Sequence, residues 1–188
     1  MEDKGIVTRF APSPSGYLHL GHAYSALVTA SAAETTNGLF LLRIEDIDLG
    51  RCKPEFEDAI YEDLSWLGLE WEQPVRRQSD HFEEYRHALG KLNEIGVLYP
   101  CFCTRKTIAA EIERAGRAAH EPSSPYGSPY PGTCREMSKN ERDVRLGAGD
   151  PFALRLNIEK AHEITGELYW HETGKVSHVA VPQIYGDV

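Results

Sequence analysis

Two imidazoles flank a glycine in His19-Leu20-Gly21-His22, a few residues after the turn-forming stretch Pro12-Ser-Pro-Ser-Gly16. Proline and glycine end regular structure, so the chain must bend there. The apolar residues Leu20, Ala23, Tyr24, Leu27, Val28 and Ser31 then fall at helical spacing, which predicts a helix over 20–36 carrying His19, Gly21 and His22 at its first turn. A helix N-terminus offers unpaired amides and a positive dipole end, and both suit an anion. Gly21 lets backbone and ligand approach closely, and the imidazoles could donate hydrogen bonds as charge builds up in a displacement at phosphorus. The competing reading is that the histidines only cap the helix.

A second group follows the apolar run Leu39-Phe-Leu-Leu-Arg-Ile44, where Glu45, Asp46 and Asp48 stand close together. Such a run reads as a buried parallel strand, and ligands of an open parallel sheet sit outside the carboxyl ends of its strands. Glu45 and Arg9, from neighbouring strands, can therefore face one pocket. A carboxylate suits an ammonium group, and a guanidinium suits a carboxylate through a two-pronged contact. Asp46 and Asp48 read as a solvated loop paired with Arg43 or Arg51. Ser13 and Ser15 could add hydrogen bonds but are not read as nucleophiles.

The third group is Cys101-Phe-Cys103 with Tyr130-Pro-Gly-Thr-Cys134. Three thiols and a phenol grouped in this way suggest a metal more than a cross-link. Tetrahedral zinc takes thiolates readily and closes small inserts that lack a core. Tyr130, Tyr126 and His120 compete for the fourth position. Cys52 stands apart.

These groups need elements to hold them. Residues 5–11 read as a strand, 39–44 as another, and the helix between them completes the opening of a doubly wound α/β sheet. Further helices are predicted over about 54–67, with Phe56, Ile60, Leu64 and Leu67 on one face, and about 80–95, with Phe82, Tyr85, Leu89, Leu92 and Ile95. A strand over 97–102 leads into the cysteine pair, and 104–118 reads as helix. The prolines and glycines of 121–133 exclude regular structure there. Strands are expected over 152–158, 168–181 and 184–188. The domain reading is 1–96 as the first half of the sheet domain, 97–145 as the metal-bearing insert, and 146–188 as the return.

Composition narrows the classes. Hydrophobic residues at 41% and charged residues at 26% of 188 are ordinary for a globular chain. No apolar run reaches membrane-spanning length and the N-terminus lacks the marks of a secretory signal, so the expected compartment is the cytoplasm, with no membrane partner. A net charge of -9 argues against a generic nucleic-acid coat. The charge is uneven: residues 40–72 hold three Lys/Arg against ten Asp/Glu, and 104–145 hold eight against six. A docking nucleic acid would favour the second stretch.

Taken together, Arg9-Phe-Ala-Pro-Ser13, His19-Leu20-Gly21-His22 and Arg43-Ile-Glu-Asp-Ile-Asp48 resemble the signatures of class I aminoacyl-tRNA synthetases of the glutamate group. The resemblance implies a Rossmann-like α/β fold with a doubly wound parallel sheet and a small zinc-binding insert. It implies activation of glutamate by ATP with Mg2+, the substrate carboxylate being the nucleophile, and positioning with charge stabilisation supplying the rate. His19, Gly21 and His22 become the catalytic residues. Arg9, Phe10, Ala11, Pro12, Ser13 and Glu45 become the glutamate-binding set. Cys101, Cys103, Tyr130 and Cys134 become the zinc ligands, because the Cys-x-Cys…Tyr-x3-Cys order resembles the branch that glutamylates the queuosine base of tRNA(Asp). An ordinary tRNA(Glu)-charging enzyme, a small-molecule adenylyltransferase and a non-catalytic binding module are the alternatives. The lysine-rich loop and the far wall of the glutamate pocket are expected beyond Val188, so these residues alone are expected to be inactive. A monomer is expected.

Overall fold

In the computed structural model, which describes residues 5–116, 130–172 and 176–187, strand β1 (Val7–Phe10) runs into the turn at Pro12–Gly16 and then into helix α1 (Leu20–Thr35). The helix stops where the sequence says it must. Asn37 takes φ 51°, its N–H bonds Glu34 O at 3.0 Å, and Gly38 N–H bonds Ala33 O at 2.8 Å. This pair of reverse bonds satisfies carbonyls that the helix end leaves open. A Cβ on Gly38 would lie 2.0 Å from Ile6 O, so only glycine lets the chain enter β2 (Leu39–Ile44) beside β1.

β1 and β2 pair in parallel from Val7↔Leu39 to Phe10↔Leu42. After α2 (Pro54–Trp66), β3 (Glu72–Arg77) joins β2 in parallel, giving the order β1-β2-β3. Phe40, Leu42 and Ile44 alternate onto one face, where they meet Ala26 and Ala33 of α1 and Ile60 and Leu64 of α2 in the core. Both helices of this unit therefore cover the same face. The opposite face carries Val7, Arg9 and Leu39, all exposed.

Two expectations change here. The large apolar residues of α1 do not face the core: Leu20, Tyr24, Leu27 and Val28 are exposed, and Ala26, Ala30 and Ala33 pack instead. The period was legible but the phase was not, because small residues let the helix lie close, with Thr8 Oγ1 bonding Thr29 O across the contact at 2.9 Å. β3 was also missed. Its Pro74 and three charged residues hide an edge strand, a position where proline is tolerated.

The chain divides into two compact units, Met1–Arg86 and His87–Val188, with the division inside α3 (Phe82–Glu94). No residue of α3 is buried. In the second unit β4 (Leu98–Cys101) pairs antiparallel with β5 (Ala153–Leu156), and the excursion between them carries α4 (Arg105–Gly116) and α5 (Lys139–Gly147). α5 and α6 (Ile158–Thr165) were not expected, although both are signalled. Ser138 and Glu141 form a capping box, and Asn157 Oδ1 accepts from Lys160 N–H. β6 (Leu168–His171) and β7 (Ser177–Ala180) form a separate antiparallel pair. The strand expected over 184–188 is instead a 3₁₀ turn at Pro182–Tyr185 followed by an isolated bridge from Gly186 to Tyr130. His120, Tyr126 and most of the proline-rich stretch lie outside the described residues. No described helix is long and apolar enough to cross a membrane.

Candidate functional site

The first unit brings its candidate residues to the carboxyl ends of the strands. His19 is the N-cap of α1. Its Nδ1 accepts Gly21 N–H at 3.1 Å, and His22 Nδ1 accepts His19 N–H at 3.2 Å. The rings stack with centroids 3.9 Å apart. The histidines do cap the helix, but capping uses only Nδ1. Each neutral ring then carries its proton on Nε2, which remains to donate to a ligand. Burial and the neighbouring His19 hold His22 below its ordinary 6.5. Gly21 has a second reason to be glycine: a Cβ there would lie 3.0 Å from His19 Cε1 and 3.2 Å from its Nδ1.

Arg9 is exposed on the sheet face away from the helices. Phe10 turns the other way into the core at 6% exposure, and Pro12 is buried. Of the stretch Arg9–Ser13, the side chains open to a ligand are therefore those of Arg9 and Ser13, with half-buried Ala11 between. Ser13 Oγ lies 3.7 Å from Cys52 Sγ. Glu45 comes to the same turn, because its N–H bonds Pro12 O at 2.9 Å. Its carboxylate pairs with Arg43.

Asp48 pairs with Arg51 at 2.6 Å, as expected of a solvated loop. Asp46 does not belong to that loop's surface. It is 3% exposed, accepts Ser79 N–H at 2.8 Å and Ser79 Oγ–H at 2.6 Å, and meets Arg77 Nη2 at 3.1 Å. Burial opposes its charge, but the Ser79 hydrogen bonds and Arg77 outweigh that and hold the carboxyl below its ordinary 3.8. Sequence reading missed this contact because Ser79 is 33 residues away. A cavity of about 260 Å³ opens beside His19, lined also by Leu18, Asp63 and Trp66. A larger one, about 450 Å³, lies at the amino ends of β2 and β3 around Gly38 and Trp71, the end of an open parallel sheet where ligands are not expected.

The second unit gathers Cys101, Cys103 and Cys134, whose sulfurs all lie within 4.8 Å of one another. Cys103 and Cys134 Sγ are 3.4 Å apart. Tetrahedral thiolate zinc, with Zn–S near 2.3 Å, would set sulfurs about 3.8 Å apart, so the spacing fits an ion with little movement. Tyr130 Oη stands 3.3 Å from Cys101 Sγ and 3.5 Å from Cys103 Sγ, in the fourth place. Phe102 N–H points at Cys134 Sγ at 3.4 Å. Arg155 lies over the Tyr130 ring at 4.2 Å. Burial and the adjacent thiols push the Tyr130 phenol up, and burial pushes the Cys103 thiol up to about 11. Without a cation these groups would stay protonated. Burial opposes ionisation of Cys101 as well, but hydrogen bonds from Tyr130, Cys103 and Arg155 hold it below its ordinary value.

Comparison with known proteins follows the same lines. The family described as class I tRNA synthetases (E and Q), catalytic domain, matches residues 5–171. A glutamyl-Q tRNA(Asp) synthetase of Rhodobacter capsulatus is 45% identical over 90% of this chain and 58% of its own length. A glutamate–tRNA ligase of Aquifex aeolicus is 42% identical over 86% of this chain and 33% of its own. The chain thus spans between about a third and three fifths of these relatives. The crystal structure of a glutamate–tRNA synthetase from Elizabethkingia anophelis superposes with a TM-score of 0.72 over 94% of this chain and 37% of that one, at 23% identity, a likeness of fold.

Proposed function

Because the chain belongs to the catalytic-domain family of the class I tRNA synthetases for glutamate and glutamine, we propose that it carries the nucleotide-binding half of a site that joins glutamate to ATP. The observation that carries this reading is the pair of capping histidines, whose Nδ1 atoms are occupied and whose Nε2 atoms are left to donate at a helix N-terminus. ATP with Mg2+ would sit there, His19 and His22 would meet the charge that develops at the α-phosphate, and Gly21 would leave room for both ring and nucleotide. Glu45 would receive the ammonium of glutamate, released from Arg43 as it does so. Arg9, the 10–12 backbone and Ser13 would receive a carboxylate. The substrate carboxylate attacks phosphorus and pyrophosphate leaves, so no protein nucleophile is required.

The acceptor we favour is the queuosine base of tRNA(Asp). Tyr130 standing among three cysteines supports this, as does the identity with the Rhodobacter protein. A second reading, charging of tRNA(Glu), rests on the Aquifex protein at nearly equal identity. Zinc held by Cys101, Cys103, Cys134 and Tyr130 would supply a cross-link for a segment with a small core. The cytoplasm is the compartment that goes with these substrates.

The test is glutamate-dependent pyrophosphate exchange by the full-length protein with His19→Ala and His22→Ala. Each should slow exchange by the equivalent of about 2–4 kcal/mol, while glutamate binding by calorimetry changes little. Exchange at the normal rate in both would overturn the reading. Transfer of labelled glutamate to queuosine-containing tRNA(Asp), measured beside tRNA(Glu), decides the acceptor.

A further inference from the structure

We infer that Asp46 is a positioning residue for Glu45, holding the substrate-facing carboxylate in place by clamping the end of β2 between the turn after β1 and the turn after β3. The inference rests on the glutamate-activation reading and goes beyond it, because the Asp46 carboxylate is 3% exposed and taken up by Ser79 and Arg77.

The geometry is specific. Glu45 is the first residue beyond β2, where the strand ladder no longer dictates its direction. On one side its own N–H is tied to Pro12 O at 2.9 Å, which fixes it to the turn that precedes His19. On the other side the next residue, Asp46, is buried and takes two hydrogen bonds from Ser79, one from backbone and one from the hydroxyl. Ser79 belongs to the 3₁₀ turn Gln78–His81 that follows β3. Arg77, the last residue of β3, bridges Asp46 at 3.1 Å and Glu57 of α2 at 3.0 Å, and Glu57 in turn accepts from Tyr61 Oη at 3.1 Å. Asp46 is thus the node through which the end of β2 is fixed to both β3 and α2.

A buried carboxylate is a costly way to hold a loop unless its orientation matters, since an apolar residue of similar size would pack without needing three donors. Here the donors approach both oxygens, so the side chain is anchored in one place and with it the backbone of Asp46, to which Glu45 is joined. An aspartate in this place fixes direction as well as depth.

The test compares Asp46→Asn, Ser79→Ala and Glu45→Gln in the full-length protein. The readouts are the KM for glutamate and the KM for ATP in pyrophosphate exchange, and the melting temperature. Asp46→Asn puts an NH2 against a Ser79 donor and should raise the glutamate KM about tenfold or more, the size expected for a lost hydrogen bond to a charged group, with the ATP KM within about twofold. Ser79→Ala keeps the backbone donor and should shift glutamate KM in the same direction by less, so it carries the test if Asp46→Asn does not fold. Equal shifts in both KM values, or a fall in melting temperature with glutamate KM unchanged, would overturn the inference while leaving the reading intact. Wild-type protein without glutamate-dependent exchange would overturn the reading and this inference with it.

Discussion

At the scale of single residues, the two histidines show how one side chain can serve structure and chemistry at once. Capping occupies Nδ1 and leaves Nε2, so helix stability and ligand contact draw on different atoms of the same ring. Gly21→Ala separates the two. Alanine at this helical position should stabilise the helix by about 0.5–1 kcal/mol relative to glycine, yet its Cβ crowds the His19 ring at 3.0 Å. The expected result is an unchanged or raised melting temperature with exchange slowed about tenfold or more. Charge gives a second prediction. His22 is held below 6.5 by burial and by its neighbour, so near that pH the ligand-free ring is mostly neutral. Protonation would put a hydrogen on Nδ1 and cost the cap its acceptor, so stability should be full above pH 6.5 and fall as pH drops below it. Melting temperature followed through that range beside His22→Ala would read this, and a pH profile that the substitution leaves unchanged would contradict it.

At the scale of elements, close backbone approach and metal closure carry the argument. Gly38 sits where α1 hands over to β2, and its missing Cβ leaves Ile6 O undisturbed. Gly38→Ala should cost at least about 1–3 kcal/mol, as overpacking does, measurable by denaturant unfolding. In the second unit the cysteine cluster packs, among the described residues, with Tyr99, Phe102, Tyr130 and Met137, a core too small to hold a long excursion unaided. Metal analysis should find about one zinc per chain. Cys134→Ser should lower that content, whereas Cys52→Ser, whose thiol lies near Ser13 in the other unit, should not. Metal-free protein with three reactive thiols would exclude the site.

At the scale of the whole molecule, the first unit is half of an arrangement. Its three-stranded sheet has helices on one face, and Val7, Arg9 and Leu39 stand exposed on the other. Among the described residues β1 also stands at the edge of the sheet, open to further pairing. On the proposed reading Glu45 and Arg9 would make one side of a glutamate pocket, and among the described residues the groups at the start of α1 are its two histidines. Positioning two substrates for in-line attack needs more than that. Residues 1–188 by themselves should therefore bind ATP weakly and show no glutamate-dependent exchange, measured beside the full-length gene product, in which the proposed function expects it. Equal activity in the two would mean that the described residues complete the site.

The sequence alone determined what depends on neighbours along the chain. The helix start at Leu20, the stop at Asn37-Gly38, the apolar strand at 39–44 and the Cys-x-Cys…Tyr-x3-Cys order are all local, and turn chemistry and periodicity report them. Even so, local signals were lost where composition masked them: Pro74 hid β3, and the caps at Ser138 and Asn157 went unread. Tertiary structure decided what depends on partners far away. The face of α1 that packs was chosen by how closely alanines let the helix approach the sheet, which no periodicity encodes. Asp46 looked like one more acidic loop residue until Ser79 and Arg77, more than thirty positions on, enclosed it. The direction of a side chain is set by the sum of its contacts, and most of those contacts come from elements that the local sequence does not name.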